Sequence, residues 1–418
     1  MSKPLVIVQA PVATRSGYGS HSRDLCKSLI NSDKYDVKIL GLNWGSTPMN
    51  ALDKNNPGDK LILDRIMKQP QLDRQPDVNI QITVPNEFQK IAKYNIGITA
   101  GIETTQCSPE WLQGLNRMDL IIVPSEHSKK VFENSVYTQK DQAGNVTQEL
   151  RCTTPIEVLF EGVDTDIFRK TKDIPSTIKD ELNKITESFN FLYVGHWLEG
   201  PLGQDRKDTG MLVKVFLETF KNKKNPPALI MKTSSATFSV IDKYSLIKKV
   251  KSIRDTIENA KTLPNIHILH GDLTDEEMNG LYNHYKIKAH ISFTKGEGFG
   301  RPLLEASASE KIVIAPNWSG QIDFLNEQSV LLPGAINKVA PSAVWDKVIL
   351  QESGWFTINY PYASKVMKDV YKNYRNYTVR GTKQGLVSRG KFSLSKMDKL
   401  FDEMMVKYLP KFSKSVEL

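Results

Sequence analysis

Short apolar runs alternate along this chain with stretches whose apolar residues recur every three or four positions. PLVIVQAP (4–11), YDVKILGL (35–42), NIQITVP (79–85), YNIGITA (94–100), DLIIVPS (119–125) and TPIEVLF (154–160) predict buried strands. Between them, GYGSHSRDLCKSLINS (17–32) and SKKVFENS (128–135) carry helical spacing, and QKDQAGNVTQ (139–148) is polar and turn-rich, a surface hairpin or loop. A second series follows the polar, poorly periodic segment GVDTDIFRKTKDIPSTIK. Its predicted strands are FNFLYVG (189–195), PPALIMKTS (226–234), NIHILHG (265–271), AHISFT (289–294) and KIVIAP (311–316). The helices between them are TGMLVKVFLETFKN, IDKYSLIKKVKSIRDTIENA, TDEEMNGLYNHY and LLEASASEK. Strand and helix in alternation indicate parallel βαβ construction. The expectation is an α/β protein of two doubly wound, Rossmann-like domains, one over residues 1–175 and one over 185–395, with a final helix at 396–418.

Length and composition agree with that division. A chain of 418 residues exceeds what one core usually organises, and 39% hydrophobic with 25% charged residues is ordinary for a globular protein. No apolar run approaches the roughly 20 residues of a membrane span, and MSKPLVIVQAP reads as a strand rather than a signal peptide. Cys26, Cys107 and Cys152 are odd in number and far apart, which suits a reduced, cytoplasmic protein without structural zinc. The formal net charge of +9 is concentrated: residues 356–418 carry 13 Lys and Arg against 5 Asp and Glu.

The chemistry gathers at TKGEGFGRPLLEA (294–306). AHISFT predicts a strand, KGEGFG the turn after it, and Pro302 the first position of a helix, where its missing N–H costs nothing. Open α/β sheets bind ligands at the carboxyl ends of their strands. The amides around Gly298, Phe299 and Gly300, with a helix N-terminus behind them, suit a phosphate. Glu297 in the turn and Glu305 in the helix cannot bind phosphate, but each can accept hydrogen bonds from hydroxyls. Loop amides for a diphosphate and two carboxylates for sugar hydroxyls describe a nucleotide-sugar site.

Written out, GEGFGRPLLEASASEKIVIAPNWSG resembles the glutamate pair, eight residues apart, of the retaining glycosyltransferases of family 4. The resemblance extends over nearly the whole chain, through SGYGSHSRDL (16–25), SPEWLQGLNRMDLIIVPSEHSKKVF, IEVLFEGVDTDIFR, RKDTGMLVKVF (206–216) and HGDLTDEEMNGLY. It implies the GT-B fold, two Rossmann-like domains facing each other across a cleft, an N-terminal one for the acceptor and a C-terminal one for the donor, with the last helix near the domain junction. It further implies that Glu297 contacts the donor sugar and Glu305 the ribose, that Arg206 and Lys207 neutralise the departing diphosphate, and that Gly17 and Gly19 let the first loop approach the phosphates. Glu103, in TAGIETTQ, would orient the acceptor hydroxyl. Lys232 is a second phosphate candidate, and His21 an acceptor-side candidate that a helix surface would equally explain. His196 stands where the family often has arginine, which leaves the phosphate ligands to be located.

No Asp-x-Asp in a metal-binding context and no His/Cys set of ligand spacing occurs, so the expectation is metal-independent transfer with no cofactor beyond a UDP-linked co-substrate. Retention of configuration is inherited from the resemblance. So is the acceptor reading: some of the similar enzymes encoded by large tailed phages glycosylate 5-hydroxymethylpyrimidines in DNA, while cell-surface polysaccharide or lipid-linked glycan synthesis uses related enzymes. A nucleotide-sugar epimerase and a non-catalytic sugar-binding protein are the alternatives of other classes. The basic segment bears on the partner. YASKVMKDVYKNYRNY (362–377) predicts one helix with an apolar stripe of Val366, Met367, Val370, Tyr371 and Tyr374 and a ridge of Lys365, Lys368, Lys372 and Arg375. That ridge suits DNA or an anionic membrane surface, or is a solvated face.

Overall fold

The computed structural model describes residues 3–45, 47–69, 71–235 and 239–412. By their contacts the residues divide into two units. The first holds residues 1–102, 106–162 and 394–418; the second holds residues 103–105 and 163–393.

In the first unit the elements run β1 (Leu5–Ala10), α1 (Gly17–Asn31), β2 (Asp36–Gly41), α2 (Pro57–Leu63), β3 (Val78–Ile82), β4 (Tyr94–Ile98), α3 (Pro109–Leu115), β5 (Leu120–Val123), α4 (Glu126–Asn134), β6 (Tyr137–Lys140), β7 (Val146–Leu150) and β8 (Ile156–Val158). Six strands pair in parallel in the order β2-β1-β3-β4-β5-β8. Every residue of β3 and β5 is buried, as expected of central parallel strands covered on both faces, whereas the edge strand β2 buries only alternate positions. β6 and β7 form the exposed antiparallel hairpin that the polar stretch at 139–148 suggested.

The second unit contains α5 (Ser176–Asn183), β9 (Asn190–Val194), α6 (Thr209–Phe220), β10 (Ala228–Lys232), α7 (Val240–Asp255), β11 (Ile266–Leu269), α8 (Asp275–Asn283), β12 (Ile287–Ile291), α9 (Arg301–Ala308), β13 (Ile312–Pro316), β14 (Val330–Leu332), β15 (Gly334–Lys338), β16 (Gly354–Ile358), α10 (Tyr360–Lys372) and α11 (Tyr374–Lys391). Its six-stranded parallel sheet has the order β11-β10-β9-β12-β13-β14, and β15 pairs with β16 in a separate hairpin. Phe191, Leu229, Met231, Ile291 and Ile314 from the sheet meet Leu212, Phe216 and Met367 from the helices in one core. The final helix, α12 (Leu394–Tyr408), belongs to the first unit. Met397, Phe401 and Met405 fall at four-residue spacing, so one helical face carries all three into the core around Leu25 and Leu29.

Several details differ from the sequence reading, α5 among them, which starts inside the segment read as polar and poorly periodic. The helix expected over 362–377 is two helices broken at Asn373, whose backbone (φ −115°, ψ 30°) leaves the helical region and whose Nδ2 donates to Asp369 Oδ1 at 2.8 Å. Lys365, Lys368 and Lys372 therefore share α10, while Arg375 is the second residue of α11. Pro302 is the second residue of α9, not the first: Arg301 precedes it, and Gly300 at φ 101° provides the left-handed turn into the helix. Finally, β14, β15 and β16 lie where short apolar runs without clear periodicity gave no expectation.

Candidate functional site

In the second sheet the chain order reverses between β9 and β12, which are direct neighbours. Loops leaving such neighbours at their carboxyl ends diverge to opposite faces and leave a crevice, the place where doubly wound sheets bind ligands. The loop after β9 runs to α6 and carries Arg206, Lys207 and Asp208. The loop after β12 runs to α9 and carries Lys295, Gly296 and Glu297.

These loops are stitched together by backbone and charge. Lys295 N donates to Arg206 O at 2.7 Å, and Arg206 Nη1 donates to Gly296 O at 3.0 Å. The same guanidinium nitrogen lies 3.3 Å from Glu103 Oε1 and 3.6 Å from Glu297 Oε2. Lys207 Nζ donates to Glu297 Oε1 at 2.6 Å. Gly296 has no substitute here, because a Cβ would overlap the Glu103 carbonyl oxygen. Burial alone would raise the Glu297 carboxyl, but Lys207 and Arg206 overcome it and hold the group below its ordinary range. Arg206 is likewise kept charged against burial by Glu103 and Glu297. Two cations and two anions, each side chain less than a third exposed, thus converge on one crevice.

Behind them lies a layer that sequence reasoning missed. Asp208 sits at φ 52° before α6, fully buried, with Lys295 Nζ 3.2 Å and the Tyr360 hydroxyl 2.6 Å from its Oδ2. Lys295 is itself buried, so this ion pair ties the Arg206–Lys207 loop to the Glu297 loop from underneath. Ser319 is the second such residue. It adopts φ 68°, ψ −158°, a region that is nearly exclusive to glycine, and its Oγ accepts the Glu297 N–H at 3.0 Å. Gly320 N donates back to Glu297 O at 3.0 Å, so Glu297 is gripped on both sides of its backbone. The NWSG stretch after β13 carried these residues in sequence, but only the strained serine reveals their purpose.

Glu305 projects from the second turn of α9. Its Oε1 accepts from Arg301 Nε at 3.2 Å, and its Oε2 lies 3.4 Å from the Tyr282 hydroxyl. Burial pushes its carboxyl up to about 7, with Arg301 opposing. Phe299 points into the core against Phe324, ring centroids 5.0 Å apart, so only its backbone faces the loop. Gly298 packs under Gly320, where a Cβ on the latter would meet the Gly298 carbonyl. Lys232 ends β10 beside β9; burial draws its ammonium pKa down, and Asp272 opposes this. His196 Nδ1 lies 3.2 Å from Ser234 Oγ, and burial lowers its imidazole pKa.

The remaining candidates belong to the first unit. Gly17 opens α1 with open space around its Cα, whereas Gly19 is wedged against the Thr14 carbonyl. His21 is only 4% exposed, so it is a buried residue of α1 rather than one on the helix surface. Among the described residues, no helix is long and apolar enough to cross a membrane, and no group of three or more His, Cys, Asp or Glu is arranged to hold a metal ion.

No family model and no curated protein matches the sequence. Solved structures do match in three dimensions. Sucrose-phosphate synthase from Thermosynechococcus elongatus superposes with a TM-score of 0.63 at 11% identity, over 97% of this chain and 98% of that one. A glycosyltransferase from Rickettsia africae gives 0.62 at 13% identity, over 99% and 100%. The Anabaena protein HepE in complex with UDP-glucose gives 0.61 at 13% identity, over 96% and 99%. This chain has the GT-B fold, two doubly wound α/β units in sequence.

Proposed function

We propose that the protein is a cytoplasmic, retaining glycosyltransferase that moves a sugar from a UDP-sugar to an acceptor hydroxyl. The observation that carries this reading is the cluster of Arg206, Lys207, Glu297 and Glu103 at the point where the second sheet reverses its order. A diphosphate entering there competes with the two carboxylates for the two cations. Glu297, released from Lys207, is then free to accept hydrogen bonds from the hydroxyls of the transferred sugar. As the bond from the anomeric carbon to the diphosphate oxygen breaks, negative charge grows beside Arg206, Lys207 and the N-terminus of α9, groups already in place before reaction. The acceptor oxygen attacks from the face that the diphosphate leaves, and its proton passes to the departing phosphate oxygen. Glu103, anchored by Arg206, orients that acceptor. Glu305 takes the ribose hydroxyls.

With fixed cations opposite the leaving group, transfer survives EDTA; a complete loss restored by Mg²⁺ or Mn²⁺ would refute that part. A donor screen read by sugar release tests the reading as a whole: turnover of a UDP-sugar that Arg206→Ala abolishes supports it, and no turnover of any nucleotide sugar defeats it. For the acceptor, the resemblance to phage enzymes favours 5-hydroxymethylpyrimidine in DNA over lipid-linked glycans. Parallel transfer assays on modified duplex and on lipid-linked sugar decide between them.

A further inference from the structure

At the opposite end of the second sheet from Glu297, the amino ends of β12 and β13 collect lysines. The register that pairs Ala289 with Ile312 sets Lys288 and Lys311 side by side at the entry to these strands. Lys311 is buried, and its Nζ, which carries three N–H groups, donates to Ile287 O at 2.8 Å. Lys286, one residue before β12, is also buried and donates to Leu182 O at 2.9 Å and Ile185 O at 2.5 Å.

Lys170 joins from the segment before α5 and is held in place on both sides. Arg169 N donates to Asn279 Oδ1 at 3.3 Å and Thr171 N to Asn283 Oδ1 at 3.1 Å, while Asn283 Nδ2 donates to Arg169 O at 2.8 Å. Tyr374 closes the group, its ring centroid 5.3 Å from Lys288 Nζ. Among the described residues none of Lys170, Lys286, Lys288 and Lys311 forms an ion pair with a carboxylate. Lys170, Lys288 and Lys311 act instead on one another: Lys311 is pushed down to about 7 by burial and then by Lys170 and Lys288, and Lys288 is lowered by burial and by Lys170. Lys288 and Lys311 at the entry to neighbouring strands, the second of them buried, carry an electrostatic cost that an anion would relieve.

We propose that Lys170, Lys288 and Lys311 form a binding site for a phosphate-type oxyanion, distinct from the donor crevice at the other end of the sheet. The oxyanion sits between the three ammonium groups, with Tyr374 as one wall. Arg375, exposed at the start of α11, extends the positive surface beyond it. Two sources offer this chemistry, a free phosphate and the phosphodiester backbone of a nucleic acid.

The test uses the full chain and the double variant Lys170→Gln/Lys288→Gln, with inorganic phosphate and a DNA duplex of about 20 base pairs as separate probes. The control variant removes two exposed lysines elsewhere, Lys54→Gln/Lys251→Gln. Binding of both probes by the wild type at low salt, weakened at least about tenfold in the site variant and not in the control, assigns the site to phosphodiesters. The salt slope for DNA should then also fall by about 0.9 for each backbone phosphate that the variant no longer neutralises. Binding of phosphate alone, with the same selectivity, assigns it to a small phosphate. If neither probe binds at low ionic strength, or the two variants lose affinity equally, there is no such site. Release of sugar from donor is unchanged in the site variant, so failure here leaves the transferase reading untouched, and failure of that reading leaves this one standing.

Discussion

The two units use the same architecture with different chemistry at the point where strand order reverses. In the first, the reversal lies between β1 and β3, and the start of α1 is joined to the residues after β4 by neutral groups: the Tyr18 hydroxyl lies 2.9 Å from Thr99 Oγ1 and accepts the Ala100 N–H at 3.0 Å. The Arg23 guanidinium there is turned onto the Val12 and Thr14 carbonyls, each at 2.9 Å. In the second, the reversal lies between β9 and β12, and the loops are joined by ion pairs above and below. The sheet alone therefore does not specify the ligand. The first loop is held by a guanidinium turned onto its carbonyls, whereas in the second two cations are paired with carboxylates.

The largest effect should come from the buried pair beneath the second crevice. Lys295→Met leaves Asp208 buried without its cation, and breaking such a pair costs about 3–5 kcal/mol. The double variant Asp208→Leu/Lys295→Met removes both charges and should recover most of that stability in urea unfolding. It should not recover transfer, because Arg206 and Lys207 lose the anchor that aims them. Full recovery of both would show the pair to be structural only.

Next is Glu297→Gln, which keeps size and removes charge. Turnover should fall about 100- to 1,000-fold, as for loss of one transition-state partner, while UDP affinity, measured by calorimetry, holds or rises because Lys207 is released. Unchanged turnover would move the sugar contact elsewhere. A matching change in the first unit, Tyr18→Phe, removes two neutral bonds and should cost about 1–3 kcal/mol of stability with turnover reduced far less.

How much of this was legible in the sequence follows from what kind of signal each residue leaves. Strands such as β5 and β13 are continuous apolar runs bounded by turns, so they stand out without a structure. Glu297, Glu305, Arg206 and Lys207 lie beside glycines and helix starts at fixed spacing, which made them candidates. Asp208, Lys295 and Ser319 carried no such mark. A buried aspartate and lysine look like surface residues in sequence, since only three-dimensional packing strips their water away. The strain at Ser319 is a backbone property with no sequence signature. The break at Asn373 was hidden because lysine and tyrosine spacing continues across it in register.

A smaller effect is linked to pH. The Glu305 carboxyl titrates near 7 in the fold against an ordinary value of 4.5. A raised carboxyl binds its proton more tightly in the native state, so its contribution is present below about 4.5 and is lost as pH rises through 7. Glu305→Gln, which mimics the protonated form, should therefore leave stability at pH 4 nearly unchanged and raise it at pH 8 by on the order of 1–3 kcal/mol. If ribose hydroxyls donate to this carboxylate they favour its charged form, so UDP binding near pH 7 should release a proton. Calorimetry in buffers of different ionisation enthalpy reads that release, and it should vanish in Glu305→Gln. Proton release that persists in the variant would place the ribose elsewhere.

The smallest expected change returns to the first unit and its two glycines, which differ in why they are glycine. Gly19 is packed against Thr14, so Gly19→Ala must displace backbone and should destabilise by about 1–3 kcal/mol. Gly17 opens α1 and meets nothing within 4 Å where a Cβ would be. Alanine there reduces the freedom of the unfolded chain and favours the helix, so Gly17→Ala should stabilise by about 0.4–1 kcal/mol. If the missing side chain at Gly17 serves only the turn, sugar release should be unaffected. If it serves close approach of the donor phosphates, KM for the UDP-sugar should rise several-fold in a protein that is more stable than the parent. That opposition between stability and substrate affinity is a result packing cannot produce, so a glycine whose Cβ would meet nothing decides whether this turn takes part in donor binding.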